Sequence, residues 1–190
     1  LSKPRASGVR AISLPLDNSD ILIDVERIKE KQEVLLVTKK GLAVRFNSQD
    51  VRAMGRASYG VTGTRLHQGD EVVSLEVLPL EKQEEKISTI LTITDKGYGK
   101  RSEINDYRLI NRGGKGVINL KVTEKTGKVV KTVSVKDKDS IIVTTKNGMV
   151  IRAPVKQIRV MNRATQGVHI VRLKENDKVV DIVKIEEVVN

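Results

Sequence analysis

Short apolar runs broken by glycine-bearing polar turns recur along the chain. Residues 34–38 (VLLVT) and 43–46 (AVRF) flank Lys39-Lys40-Gly41, which reads as a hairpin turn. A polar, basic excursion follows, then a run at 61–66, a turn at His67-Gln68-Gly69-Asp70 and a last run at 71–77. β-branched residues dominate these runs, as strands prefer, and helical periodicity is not evident over any long window. The pattern then repeats. Residues 90–102 (ILTITDKGYGKRS) and 141–153 (IIVTTKNGMVIRA) match 34–46, and the segments MGRASYGVTGTRL, INRGGKGVINLKV and MNRATQGVHIVRL match one another.

The register inside each unit is constant. A turn glycine (Gly41, Gly97, Gly148) is followed four residues later by an arginine (Arg45, Arg101, Arg152). Eleven residues on comes a second arginine (Arg56, Arg112, Arg163), and four more bring a glycine (Gly60, Gly116, Gly167) followed at once by valine. The first interval between turn glycines is 56 residues and the second 51, the surplus falling in a polar connector at 80–86. Asn147-Gly148 in the third unit predicts a type I′ hairpin turn, with both central residues at positive φ. Four strands per unit at roughly 50-residue spacing predict propeller blades. The expected fold is thus all-β: a propeller-like array of four-stranded blades, with a partial blade at 1–28 and blades at 29–86, 87–138 and 139–190. Three full blades fall short of the 4–8 usual in a closed ring, so the ring is expected to be incomplete. Residues 3–14 match only the back half of the repeat. Aligned on Gly8-Val9, Pro4 falls where the other units carry arginine, and Arg5 comes one place late. With leucine at residue 1, this reads as a piece of a longer protein.

Charge adds a partner to this picture. The 190 residues carry 35 Lys+Arg against 24 Asp+Glu, a formal net charge of +11, which points to a polyanion. No run approaches the ~18 consecutive apolar residues of a membrane-spanning helix, and no signal peptide is visible. Cysteine is absent, which removes disulfides, thiolate metal sites and cysteine catalysis and fits a reducing, cytoplasmic setting. The stretch from the first arginine to the second glycine carries net +2 at 45–60, +2 at 101–116 and +4 at 152–167, so the excess sits mainly on one repeated element. Equivalent excursions on near-rotationally related blades would lie along one rim and form a curved basic track. Aromatics make up only 2% of the chain (Phe46, Tyr59, Tyr98, Tyr107), too few for base stacking along a single strand. The expected partner is double-stranded DNA held by its backbone without sequence preference.

The candidate DNA-contacting residues are Arg52, Arg56, Lys100, Arg101, Arg108, Arg112, Gly113, Gly114, Lys115, Lys156, Arg159 and Arg163. Within Arg112-Gly113-Gly114-Lys115-Gly116 the glycines would let a phosphate approach backbone N–H groups closely. A rival role exists for the arginines: tying a loop down by hydrogen bonds to carboxylates or carbonyls. Arg45, Arg101 and Arg152, at strand ends beside a hairpin, fit it better than Arg56, Arg112 and Arg163 do.

Catalytic patterns fail one by one. Gly55 to Gly60 has the glycine spacing of a phosphate loop, but Val61-Thr62 follows instead of Lys-Ser/Thr. Gly97 and Gly99 lead into a strand and not a helix, which excludes a dinucleotide fingerprint. His67 and His169 are the only histidines, and with no cysteine they cannot complete a zinc site. Neither has a triad context, and the pairs Glu84-Glu85 and Glu186-Glu187 read as solvated. No catalytic residue, metal site or cofactor is expected.

Three stretches carry a family resemblance: Val51-Arg52-Ala53-Met54-Gly55-Arg56, Lys96-Gly97-Tyr98-Gly99-Lys100-Arg101 and Arg163-Ala164-Thr165-Gln166-Gly167-Val168. They resemble the C-terminal domain of the A subunit of bacterial-type DNA gyrase, over essentially the whole chain, as the last three blades of six. The resemblance implies a β-pinwheel whose blades exchange strands with their neighbours and whose basic rim wraps duplex DNA. It implies presentation of that DNA for ATP-dependent negative supercoiling by two A and two B subunits near the nucleoid. The DNA-cleaving tyrosine then lies in a separate core, and ATP and Mg are used elsewhere in the holoenzyme. Ile110-Asn111-Arg112-Gly113-Gly114-Lys115-Gly116 matches only the last five positions of the family's gyrase box, and does so in the fifth blade where the box lies in the first. It reads as a repeat-equivalent, with the true box upstream. Rival readings are the corresponding domain of topoisomerase IV and a propeller that binds an acidic protein.

Overall fold

A computed structural model describes residues 8–15, 20–29, 31–78 and 89–186. Pro4 and Arg5, the 80–86 connector, Glu84-Glu85 and Glu187 lie outside the described residues. Eleven strands form three antiparallel sheets, with single 3-10 turns as the only helical elements among the described residues. The strands are β1 (Glu33–Thr38), β2 (Leu42–Asn47), β3 (Val72–Leu78), β4 (Thr89–Thr94), β5 (Tyr98–Glu103), β6 (Val117–Ile118), β7 (Val129–Val135), β8 (Ser140–Thr145), β9 (Val150–Pro154), β10 (Val168–His169) and β11 (Val179–Ile185).

Each sheet is built on the expected hairpin. β1 pairs with β2, β4 with β5 and β8 with β9, and the last strand of the unit returns to the far side of the first. The hairpin turns are not type I′. Gly41, Gly97 and Gly148 each donate their N–H to the carbonyl of a threonine three residues back (Thr38, Thr94, Thr145) at 2.9–3.0 Å. Only the glycine has positive φ, and Asn147 does not. This is a type I turn closed by a left-handed glycine, the three-residue hairpin loop. The same threonines use their hydroxyls to accept the N–H of Leu42, Tyr98 and Met149, so the turn is held by backbone and side chain alike.

The fourth strand departs from a blade made of one unit. β6 pairs with β2 of the preceding sheet, and β10 with β5, giving the orders β3-β1-β2-β6, β10-β5-β4-β7 and β11-β8-β9. The third sheet has three strands, and residues 61–66 form none. Each of the first two sheets is therefore completed by the next unit, the exchange that the resemblance implies.

The cores lie between sheets. One cluster joins Leu35, Val37 and Ala43 of the first sheet to Ile90, Tyr107 and Val129 of the second unit. A second joins Leu91, Ile93 and Val133 to Ile141, Val143, Val155 and Ile182. The middle sheet is covered on both faces, so β4 is buried at every position, whereas β9 alternates between half-buried and exposed. Threonines fit the doubly covered strand because they find partners. Thr92 meets Asn119 and Thr132, and Asn119 accepts the Tyr107 hydroxyl at 2.6 Å.

Candidate nucleic-acid interface

Every basic excursion starts from a strand end and passes through one 3-10 turn: Ser48–Asp50, Ile104–Asp106 or Val155–Gln157. The second and third then cross to the preceding unit. The Arg112 guanidinium donates to the carbonyls of Asp50 (3.2 Å) and Thr62 (2.5 Å). Arg163 repeats this one unit on, donating to Asp106 (3.0 Å) and Ile118 (2.8 Å). Backbone bonds run alongside. The Gly113 N–H donates to the Gly63 carbonyl at 2.8 Å, the Arg65 N–H to the Gly114 carbonyl at 3.1 Å, and the Lys121 N–H to the Thr165 carbonyl at 2.9 Å. Neighbouring excursions are thus bonded to one another, the second to the first unit and the third to the second.

Two expected contacts are enclosed by the protein. Lys100 and Arg101 are only 1% and 5% exposed, with their donors committed inside the protein. The Lys100 ammonium donates to the Ser102 hydroxyl at 2.5 Å and the Asn162 carbonyl at 3.1 Å. Burial lowers its pKa to about 7, against the opposing pull of Asp106 and with a further push from Arg163. The Arg101 guanidinium donates to the Ile158 carbonyl at 2.7 Å and pairs with Asp137 at 2.5 Å. Arg45 matches it, pairing with Glu33 at 2.5 Å and donating to the Ile104 and Tyr107 carbonyls at 3.0 Å. The strand-end arginines of the first two units are therefore ties between units.

The remaining candidates divide by what holds them. Arg112 and Arg163 are half-buried and act as ties while still on the surface. Gly113 and Gly114 are half-buried, and the Gly113 N–H is already used by Gly63, which removes it as an anion donor. Arg52, Arg56, Arg108, Lys115, Lys156 and Arg159 are exposed and make no side-chain hydrogen bond or ion pair with the described residues. Among them Arg52, Arg108 and Arg159 are equivalent, each seven residues past the strand-end arginine. A further equivalent set, Arg65, Lys121 and Arg172, is absent from the sequence-based candidates. It lies four residues past Val61, Val117 and Val168 and is exposed in all three units. The same register arithmetic, carried past the second glycine, finds it. The backbone bonds above set Arg65 beside the second excursion and Lys121 beside the third.

No group of three His, Asp or Glu among the described residues is placed to hold a metal ion. No helix among them is long and apolar enough to cross a membrane. Tyr98 stacks on His169 with ring centroids 3.9 Å apart, and burial raises the Tyr107 hydroxyl pKa.

A family model described as DNA gyrase C-terminal domain, β-propeller, matches residues 32–79, 88–136 and 139–186. The DNA gyrase A protein of Lawsonia intracellularis is 41% identical over 94% of the chain, and that of Salmonella typhimurium 40% identical over 100%. The chain spans 21% of the length of each, about a fifth of these relatives. Among solved structures, a DNA gyrase A C-terminal domain superposes with TM-score 0.85 at 28% identity, covering 95% of this chain and 59% of that one. A DNA topoisomerase IV C-terminal domain superposes with TM-score 0.86 at 26% identity, covering 97% and 55%. Inter-sheet cores, strands exchanged between units and a match spanning all three repeats lead to one assignment: the chain belongs to the DNA gyrase C-terminal domain family.

Proposed function

We propose that the chain binds duplex DNA along its basic side through the phosphate backbone, bending or wrapping it without reading sequence. The observation that carries this reading is the bonding of successive cationic excursions through Arg112 and Arg163, which turns separate charges into one path. A path of cations matched to a bent duplex has energetic sense. Bending a 20–30 bp site by 40–90° costs of order 1–6 kcal/mol, which phosphate contacts spread over several units offset. In the whole protein this domain would present DNA for ATP-dependent negative supercoiling, with the gyrase B protein supplying the ATP and Mg chemistry, in the bacterial cytoplasm. The relatives at 40–41% identity carry the gyrase name, which favours this over the topoisomerase IV counterpart suggested by the equally good superposition.

The test is a pair of titrations. Two unrelated 30-bp duplexes should bind with affinities within about threefold of each other, since backbone contacts carry no sequence information. Polyglutamate should bind far more weakly. Equal binding of polyglutamate would favour the acidic-protein reading, and a preference of about 100-fold for one duplex would mean base readout. Ligating nicked circles on the protein should shift their linking number if the bound DNA is wrapped with a hand.

A further inference from the structure

The two joints between units are lined by different chemistry. At the joint from the second unit to the third, Val143, Ile151, Ala153, Ile158, Ile170 and Ile182 of the third unit form an apolar wall packed against β4 and β7. By register, the second unit carries Thr92, Lys100, Ser102, Tyr107, Asn119 and Thr132 at those six positions. Ser102 pairs with Ile90 and Lys100 with Thr92. Ile90 lies in the core shared with the first unit, and side chains alternate across a sheet, so these polar groups line the joint to the first unit.

They form one buried chain of hydrogen bonds. The Lys100 ammonium donates to the Ser102 hydroxyl, which is hydrogen-bonded to the Tyr107 hydroxyl. Tyr107 donates to Asn119, the Asn119 amide donates to the Thr92 hydroxyl at 3.0 Å, and Thr92 meets Thr132 at 3.1 Å. The chain ends in the first unit, where the Ser74 hydroxyl accepts the Thr132 N–H at 3.2 Å. Every member is buried. From its own side the first unit brings the apolar Leu35, Val37 and Ala43, and the Glu76 carboxylate accepts the Ser134 N–H at 2.9 Å. Around Lys100, Asp106 attracts the ammonium and Arg163 of the third excursion repels it. Arg101 is spent on the Ile158 carbonyl and Asp137.

The two linings respond differently to water. Opening the apolar joint exposes hydrocarbon, which water resists. Opening the polar joint exchanges protein hydrogen bonds for bonds to water, at small net cost. It also hydrates an ammonium that burial holds to a pKa of about 7, against 10.5 in water. Between those values the opened joint keeps a proton on Lys100 that the closed joint releases. We propose that the joint between the first and second units is the yielding joint of the array, opening with uptake of one proton by Lys100 while the apolar joint to the third unit stays shut. A fall in pH toward 7 favours the open form, so the array bends at one seam and resists at the next. The device does not depend on the DNA reading.

Amide hydrogen exchange in the full chain reads each joint by itself. The N–H groups of Asn119 and Leu120 donate across the first joint to the Gly41 carbonyl, and those of Ile170 and Val171 across the second to the Gly97 carbonyl. Exchange from an open state is proportional to hydroxide and rises about tenfold per pH unit, while coupled uptake of one proton lowers the open fraction by the same factor. From about pH 7.5 to about pH 9, the rates at Asn119 and Leu120 should therefore stay within about twofold, while those at Ile170 and Val171 follow hydroxide. In Lys100→Met, which puts an apolar chain where the third unit has Ile151, Asn119 and Leu120 should recover the rise of about tenfold per unit. Rates at Asn119 and Leu120 that follow hydroxide in the native chain overturn the proposal. So does flattening at all four amides, which would tie Lys100 to the whole fold, or flattening that persists in the variant. The native-chain contrast decides the matter should the variant fail to fold.

Discussion

Arg112 does two things that Arg108, four residues earlier, does not. Its guanidinium holds two carbonyls of the preceding unit, whereas the Arg108 side chain is exposed with no partner among the described residues. Arg112→Ala should therefore lower stability by about 1–3 kcal/mol, read by thermal unfolding, as well as weaken DNA binding. Arg108→Ala should leave the melting temperature unchanged and weaken binding alone. Recurrence in the sequence marked the excursion arginines as constrained, but recurrence does not separate a tie from a ligand contact. Only the location of acceptor carbonyls does. Lys100 shows the same limit. A lysine in a short strand reads as outward-facing, yet the middle sheet has neighbours on both faces, and the side chain is enclosed. Its depressed pKa has a measurable sign. The unfolded chain keeps a proton on Lys100 up to its ordinary value of 10.5, while the folded chain releases it near 7. Folding stability should therefore rise across that window, by up to about 1.4 kcal/mol per pH unit, relative to the Lys100→Met variant. A flat difference between the two proteins from pH 7.5 to 9.5 would mean that Lys100 is solvated.

At the scale of the element, the short exchanged strand links sequence to architecture. Apolar runs, turn glycines and the repeat register placed hairpins at 34–46, 90–102 and 141–153 and a run after each second glycine, and β1, β2, β4, β5, β6, β8, β9 and β10 form within these segments. What these local patterns do not encode is the sheet that a strand joins. β6 and β10 are two residues long and pair outside their own unit, where the turn carbonyls of Gly41 and Gly97 accept the N–H groups of the residues that follow them, Asn119-Leu120 and Ile170-Val171. Residues 61–62, with the same pattern, have no acceptor among the described residues and form no strand. The strand thus depends on its socket more than on its own propensity. Gly41→Ala tests that dependence. Its Cβ would lie 2.2 Å from the Leu120 carbonyl oxygen at a φ of +84°, so β6 must shift. Amide exchange at Asn119 and Leu120 should accelerate by about 10-fold or more while the β1–β3 ladder keeps its protection, as expected for local opening. Uniform loss of protection would mean that the exchanged strand is integral to the whole fold. The hairpin turns carry a smaller lesson. Asn147-Gly148 is also compatible with a type I turn closed by glycine, and three bonds from Thr145 and Met149 select it.

Across the whole molecule, the basic excess is ordered by the repeat. Arg52, Arg108 and Arg159 stand at one position of each unit, exposed, with Arg65 and Lys121 lying beside the next excursion. The charge was legible in the sequence, as was its concentration on one element. The bonding of one excursion to the next was not, since it joins residues 45 to 62 positions apart. The most direct measurement is the affinity for a random-sequence duplex as a function of salt, for the native chain and for Arg52→Ala/Arg108→Ala/Arg159→Ala. With ~4–6 phosphates neutralised, the slope of log K against log salt should be about −4 to −5, falling in magnitude by about 2–3 in the triple variant while the fold is retained. Absence of binding at low salt, or an unchanged slope in the triple variant, would contradict the account.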